Sequence, residues 1–178
     1  MIPVIETERL RLREWRAADF EPYAALYGDA QTMRHIGGAC ERDLAWTHLT
    51  ATIGHWALRG YGLWALEFKT DPGLIGWAGL WNPEGWPEPE IGWTLAPAAR
   101  GQGLATEAAL RARAWAYEVM EWTTAVSLIA MPNQASIAVA ERLGARMERT
   151  MMFRDVETGI FRHPDKSGNV NFKRNFSE

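Results

Sequence analysis

The sequence predicts an α/β fold: a mixed, mostly antiparallel twisted sheet of about seven strands with helices on both faces. Three observations carry this. Segments of strand and helix periodicity follow one another in the order β α α β β β α β α β β, with strands both in a run and alternating with helices. One of them, Ala125–Ala130, is a continuous apolar run, as a strand buried on both faces requires. The composition, 47% apolar and 23% charged over 178 residues, suits one ordinary core.

The elements are expected as follows. Thr7 to Trp15 alternates, with Leu10, Leu12 and Glu14 on one face and Arg9, Arg11 and Arg13 on the other, which reads as a strand with one wet face. Ala17 to Tyr27 carries Phe20, Tyr23, Ala24 and Tyr27 at helical spacing, with Asp19 near its start. After Gly37 and Gly38, a second helix runs from Glu41 to Leu58. Leu44, Thr47, His48, Ala51 and His55 share one face of it, and Gly60 and Gly62 end it. Strands follow over Leu63–Phe68, Leu74–Trp81 and Glu90–Leu95. Asp71-Pro72-Gly73 turns between the first two, and a proline-rich loop precedes the third. A long helix runs from Leu104 to about Met120, with Leu104, Ala108, Ala112, Trp115 and Val119 facing the sheet. Then come the strand 125–130, a helix Gln134–Leu143 ended by Gly144, and two strands, Arg146–Phe153 and Ile160–His163, joined by Asp155–Gly159. One domain is expected over residues 1–164. Residues 165–178, with Val170, Phe172 and Phe176, read as a tail or an extra strand.

Charge and termini exclude several classes. The net charge of −3 leaves no basic face for nucleic acid. Arg9, Arg11, Arg13 and Arg16 interleave with Glu6, Glu8, Glu14 and Asp19, the pattern of a solvated strand edge. No signal-peptide pattern opens the chain and no apolar run is long enough for a bilayer, so a cytoplasmic location is the default. The lone Cys40 excludes a disulfide framework. His48 and His55, seven residues apart on one helix, have no third ligand in view, and no metal is expected. Ten tryptophans stand out, eight of them within the first 93 residues.

The stretch from Glu90 to Ala108 carries chemistry. A strand enters a loop with Gly101 and Gly103, and the loop opens a helix. Helix-opening N–H groups lack internal partners and sit at the positive end of the dipole, so a loop without side chains there is an anion cradle. Taken alone, the two glycines serve equally well for a tight strand-to-helix turn. The loop lacks the lysine of a nucleotide-triphosphate loop and the third glycine of a dinucleotide fingerprint.

The wider pattern resembles a known family. Arg100-x-x-Gly103-x-Ala105 resembles the acetyl-CoA pyrophosphate motif of the GNAT N-acetyltransferases, and Thr106-Glu107-Ala108 is similar to its continuation in the RimJ/RimL-like branch. Thr7 to Arg13 resembles that branch's opening strand, Glu90-Ile91-Gly92-Trp93 its fourth strand, and Asn133-x-x-Ser136 through Leu143-Gly144-Ala145 its later helix. The resemblance implies the GNAT fold, with the fourth and fifth expected strands (90–95 and 125–130) splayed. It implies acetyl-CoA as co-substrate, no metal, and direct acetyl transfer to a primary amine. The amine would belong to a protein N-terminus or a small molecule, and a homodimer is compatible with it.

Position by position, the resemblance places the pantetheine arm between Trp93–Leu95 and Ile129–Met131, with the Leu95 N–H polarising the thioester carbonyl. The pyrophosphate would lie over the N–H groups of Gly101, Gln102, Gly103, Leu104 and Ala105, aided by the Thr106 hydroxyl and by Arg100, which reads equally as a surface arginine. Asn133 would reach the pantetheine amides. Glu90 is the candidate general base, with Gly92 and Thr94 sharing its face; a strand-end carboxylate is the plain alternative. The family's usual tyrosine acid falls at Ala140, which leaves Ser136 as the candidate, although Asn133 and Ser136 also form an ordinary helix start. Trp46, Trp81 and Trp86 fall where the family builds its acceptor site. The missing tyrosine keeps a second class open, a CoA-binding sensing or assembly module without turnover.

Overall fold

The structure, a computed structural model, describes residues 2–172. Its eight strands form one sheet in the order β1-β2-β3-β4-β5-β6-β8-β7. The strands are β1 (Ile5–Glu6), β2 (Leu10–Arg13), β3 (Leu63–Phe68), β4 (Gly76–Trp81), β5 (Glu90–Leu95), β6 (Val126–Ala130), β7 (Arg146–Phe153) and β8 (Val156–Arg162). Every neighbouring pair is antiparallel except β5 and β6. The helices are α1 (Phe20–Gly28), α2 (Ala30–Met33), α3 (Arg42–Arg59), α4 (Leu104–Glu118) and α5 (Gln134–Arg142).

The opening segment departs from the expected single strand. The Thr7 hydroxyl accepts the Leu10 N–H at 2.9 Å, and Thr7 N donates to the Leu10 carbonyl at 3.0 Å. That side-chain turn folds β1 back onto β2 and makes the eighth strand. The wet face predicted for the arginines is also corrected. Arg13 is 2% exposed and lies between Asp19 (2.7 Å) and Glu67 (2.5 Å), both buried. A guanidinium with two carboxylates can be buried because its donors are satisfied in a fixed fork.

α3 buries Ala45, Leu49, Thr52, His55 and Trp56, while Leu44 is exposed, so its core face is turned from the predicted one. The reason is Trp56. Its ring meets Trp64 and Trp115 edge-on at 4.7 and 5.9 Å, and its Nε1 donates to the Leu63 carbonyl. Gly60, at φ 75°, ends the helix in the left-handed conformation. α4 buries Leu104, Ala108, Ala112 and Trp115 as expected, but Val119 lies past its end and is exposed. Its alanines let it sit close on β4 and β5.

β7 and β8 close through a two-residue turn at Arg154 and Asp155, with φ of 51° and 62°. The expected loop over Asp155–Gly159 is therefore mostly strand. Neither turn residue is a glycine or asparagine, so the hairpin signal was absent. Near the end of the described chain, the Asp165 carboxylate accepts the Ser167 and Asn169 N–H groups. Val170 and Phe172 belong to no strand, and Phe176 lies outside the described residues.

Candidate active site

The parallel seam between β5 and β6 pairs only at Glu90↔Val126. The ladder to β4 takes the Ala96 N–H into the Ile75 carbonyl. By strand alternation, the N–H groups of Trp93 and Leu95 therefore point toward β6. Beyond Glu90 the strands part, and a cavity of about 70 Å³ opens between them, lined by Trp93, Ile129, Asn133 and Ser136 among others. This is the splay expected between these two strands.

Below the gap the strands are clamped. Arg162, 1% exposed on its side chain, holds Glu88 at 2.8 Å and Glu148 at 2.6 Å. Ser127 Oγ donates to the Ile91 carbonyl at 2.6 Å and lies 2.9 Å from His163 Nε2, so Nε2 carries the hydrogen. His163 Nδ1 then accepts from Arg113 at 3.3 Å. Burial, with Arg113 and Arg162 nearby, pushes the His163 pKa down to about 3 and keeps the ring neutral.

Glu90 stands where the gap begins and is 8% exposed. Its Oε1 accepts the Leu128 N–H at 3.2 Å and its Oε2 accepts Trp86 Nε1–H at 2.6 Å. Burial raises its pKa to about 7, against these two hydrogen bonds, which favour the charged form. No arginine or lysine pairs with it among the described residues, unlike the plain strand-end alternative. Gly92 leaves space beside it: a Cβ there would lie 3.5 Å from the Trp77 ring and 3.9 Å from Glu90 Oε1.

A second cavity of about 330 Å³ shares Glu90, Gly92, Trp77 and Leu128 with the first. Trp81 and Trp86 line it; Trp46 does not, being 55% exposed on α3 and edge-on to Phe20. Trp77, buried in a core cluster with Tyr23, Leu26 and Leu63, also forms a wall of the cavity. His48 lines it too, with a buried Nδ1 that has no hydrogen-bond partner, and burial lowers its pKa. His55 is structural: Nδ1 meets the Tyr61 carbonyl at 2.7 Å, Nε2 accepts the Asn82 N–H, and the ring stacks on Trp81.

The loop before α4 has the geometry of an anion cradle. Gly101 and Gly103 have φ of 75° and 77°, and a Cβ on Gly101 would touch nothing within 4 Å. The first intrahelical bond runs from Glu107 N to the Gly103 carbonyl, so the N–H groups of Leu104, Ala105 and Thr106 are left to an outside acceptor. The Thr106 hydroxyl is buried without a partner. Gln102 presents its backbone there, its side chain reaching back to the Ala98 carbonyl.

Arg100 faces elsewhere: Nε donates to the Leu95 carbonyl at 3.0 Å and Nη2 to Thr32 Oγ1 at 2.5 Å, tying the end of β5 to α2. Arg9, paired with Glu107, lies beside the loop. It donates to the Gln102 carbonyl at 2.9 Å, pairs with Glu107 at 2.6 Å, and lies 3.7 Å from a Cβ on Gly103. Its side chain is 43% exposed, on the solvated edge the sequence predicts. Glu107, just past the motif, was the available signal, since it also accepts from Thr7 Oγ1 and Arg9 N.

Asn133 caps α5, its Oδ1 accepting the Ser136 N–H at 3.2 Å, and both residues line the gap. Ala140 is fully buried with Ile129, Ala145 and Phe161. Among the described residues no cluster of His, Cys, Asp and Glu could hold a metal ion, and no helix is long and apolar enough to cross a membrane.

The family of acetyltransferase (GNAT) domains matches residues 9–146. The chain belongs to the GNAT acetyltransferases. A crystal structure of an acetyltransferase from Agrobacterium tumefaciens superposes with a TM-score of 0.85 at 31% identity, covering 92% of this chain and 95% of that one. A putative GNAT-family acetyltransferase from Bordetella pertussis follows at 28% identity and TM-score 0.77, over 90% and 99% of the two chains. The Bacillus subtilis protein YkkB is 29% identical over 150 residues, 82% of this chain and 86% of its own. RimL, a ribosomal L7/L12 α-N-protein acetyltransferase seen in complex with coenzyme A, shares the fold at TM-score 0.75 and 16% identity, over 90% of this chain and 97% of its own. The GNAT assignment makes this chain an N-acetyltransferase with a RimJ/RimL-like fold.

Proposed function

We propose that this GNAT enzyme transfers acetyl from acetyl-CoA directly to a primary amine held in the 330 Å³ cavity. The observation that carries the reading is Glu90, a carboxyl with a pKa of about 7 at the junction of the cavity and the β5–β6 gap. Acetyl-CoA supplies a thioester-activated acetyl group and departs as the thiol. The cradle residues fit its pyrophosphate: Gly101, Gln102, Gly103, Leu104 and Ala105 offer backbone N–H groups, and Thr106 a partnerless hydroxyl. Arg9, already paired with Glu107, packs beside them, while Arg100 sets the end of β5.

In the gap, the inward N–H groups of Trp93 and Leu95 and the side chain of Asn133 suit the amides of the pantetheine arm. Leu95 N–H is the donor available to a carbonyl oxygen gaining charge. Glu90 accepts the proton that the ammonium must lose, and near pH 7 it can also release that proton to water. Ser136 is the hydroxyl in the gap that can donate to a departing thiolate. The amine acceptor of RimL is a protein N-terminus by its name, which makes a peptide amine one candidate for this chain.

The decisive assay follows CoA release from acetyl-CoA against a panel of primary amines. Release with at least one amine is expected; tight CoA binding with no release for any amine would identify a binding module instead. The cradle has its own test. Gly103→Val places a β-branched side chain at φ 77°, a conformation such residues avoid. CoA affinity measured by calorimetry should fall at least about tenfold, ~1.4 kcal/mol. Unchanged affinity would remove the loop from the donor site.

A further inference from the structure

We infer that the acceptor is a compact, monobasic amine with an apolar, preferably aromatic, body. The inference rests on the acetyl-transfer reading and deepens it. The walls of the acceptor cavity are rings: Tyr23, Tyr27, Trp77, Trp81, Trp86 and Phe153. Glu90 is the sole carboxylate among the lining residues. A single buried acid can receive one ammonium, and ring faces add cation–π and apolar attraction for that group and its body.

A positive charge stands beside the Trp86 ring, whose Nε1 donates to Glu90. Phe153 and Arg154, at the β7–β8 turn, meet the loop before β5. Trp86 is edge-on to Phe153 at 4.9 Å, and the Arg154 guanidinium lies 5.0 Å from the Trp86 ring centroid and 5.2 Å from that of Phe153. A second ammonium on a polyamine or aminoglycoside would meet this guanidinium and ring edges, not a carboxylate. Next to Glu90, Gly92 puts no side chain against the Trp77 ring, and an aryl group attached by a short chain could lie there with its amine at the carboxylate.

The test measures kcat/KM of the full chain with acetyl-CoA and phenethylamine, isoamylamine, spermidine, kanamycin, phenylalanine or a tripeptide. Phenethylamine should exceed spermidine, kanamycin, phenylalanine and the tripeptide by at least about tenfold. Trp81→Ala should raise the KM for phenethylamine, and Arg154→Glu should narrow the gap to spermidine at low ionic strength. Equal or better turnover of spermidine, kanamycin, phenylalanine or the tripeptide overturns the inference, as does an unchanged phenethylamine KM in Trp81→Ala. If no amine is acetylated, calorimetry with phenethylamine on the CoA-loaded protein decides. Binding upholds the pocket assignment while sinking the transferase reading; absence of binding overturns the pocket assignment itself.

Discussion

Glu90→Gln should lower kcat/KM by about 10²–10³-fold, within the range for loss of a general base, while CoA affinity stays within error. The pH dependence separates this from a packing effect. In the parent enzyme kcat/KM should rise with pH through a midpoint near 7, because the carboxylate is the form that accepts the proton. The Gln variant should lack that inflection, and a profile unchanged from the parent would remove Glu90 as the base. Stability carries a second signature of opposite direction. The folded pKa lies above the ordinary carboxyl value of 4.5, so the stability gained by holding the proton is fully present below 4.5 and lost as pH rises through 7. The loss amounts to about 3 kcal/mol. Urea denaturation at pH 5 and pH 8 should show this decline in the parent and not in Glu90→Gln.

Arg162→Ala should be strongly destabilising, about 3–5 kcal/mol by denaturant unfolding. Its guanidinium is shared by the buried Glu88 and Glu148 and also donates to Thr124 Oγ1 at 2.9 Å. Arg149, 3.6 Å from Glu88, is partly exposed and replaces only part of that charge. Combining Arg162→Met with Glu88→Gln and Glu148→Gln should recover much of the loss, because the cost comes from buried carboxylates deprived of the cation between them. A loss below about 1 kcal/mol for Arg162→Ala would show instead that the cluster is relaxed by solvent.

The sequence made the backbone architecture legible where periodicity and breakers agree. Glu90–Leu95 and Arg146–Phe153 are found at their predicted bounds, and α4 and α5 lie within a residue or two of theirs. The loop before α4 was legible because glycines before a helix leave a mark in the chain itself. What escaped depends on partners distant in sequence. Arg13 alternates like a surface residue, and only Glu67, 54 positions away, makes its burial possible. Arg9 sits beside Gln102 by the same long-range pairing. The β7–β8 turn puts arginine, with no preference for positive φ, beside aspartate at positive φ, so it lacks the usual glycine or asparagine signal. Of the three tryptophans assigned to the acceptor site, Trp81 and Trp86 line the cavity and Trp46 lies on the outer face of α3. Helical spacing does not reveal which way a helix is rolled, and the α3 roll follows from where Trp56 docks.

The Leu128 N–H that a closed sheet would pair across the seam is taken by the Glu90 carboxylate. That side chain therefore acts as a chock, holding the two strands apart at the point where they would otherwise zip. Gap width and protonation are then properties of one group, since ionisation strengthens the very hydrogen bond that keeps the seam open. Under the proposed mechanism, the carboxylate that spaces the strands would also be the one that takes the proton, and a base installed at another position would have to bring its own spacer.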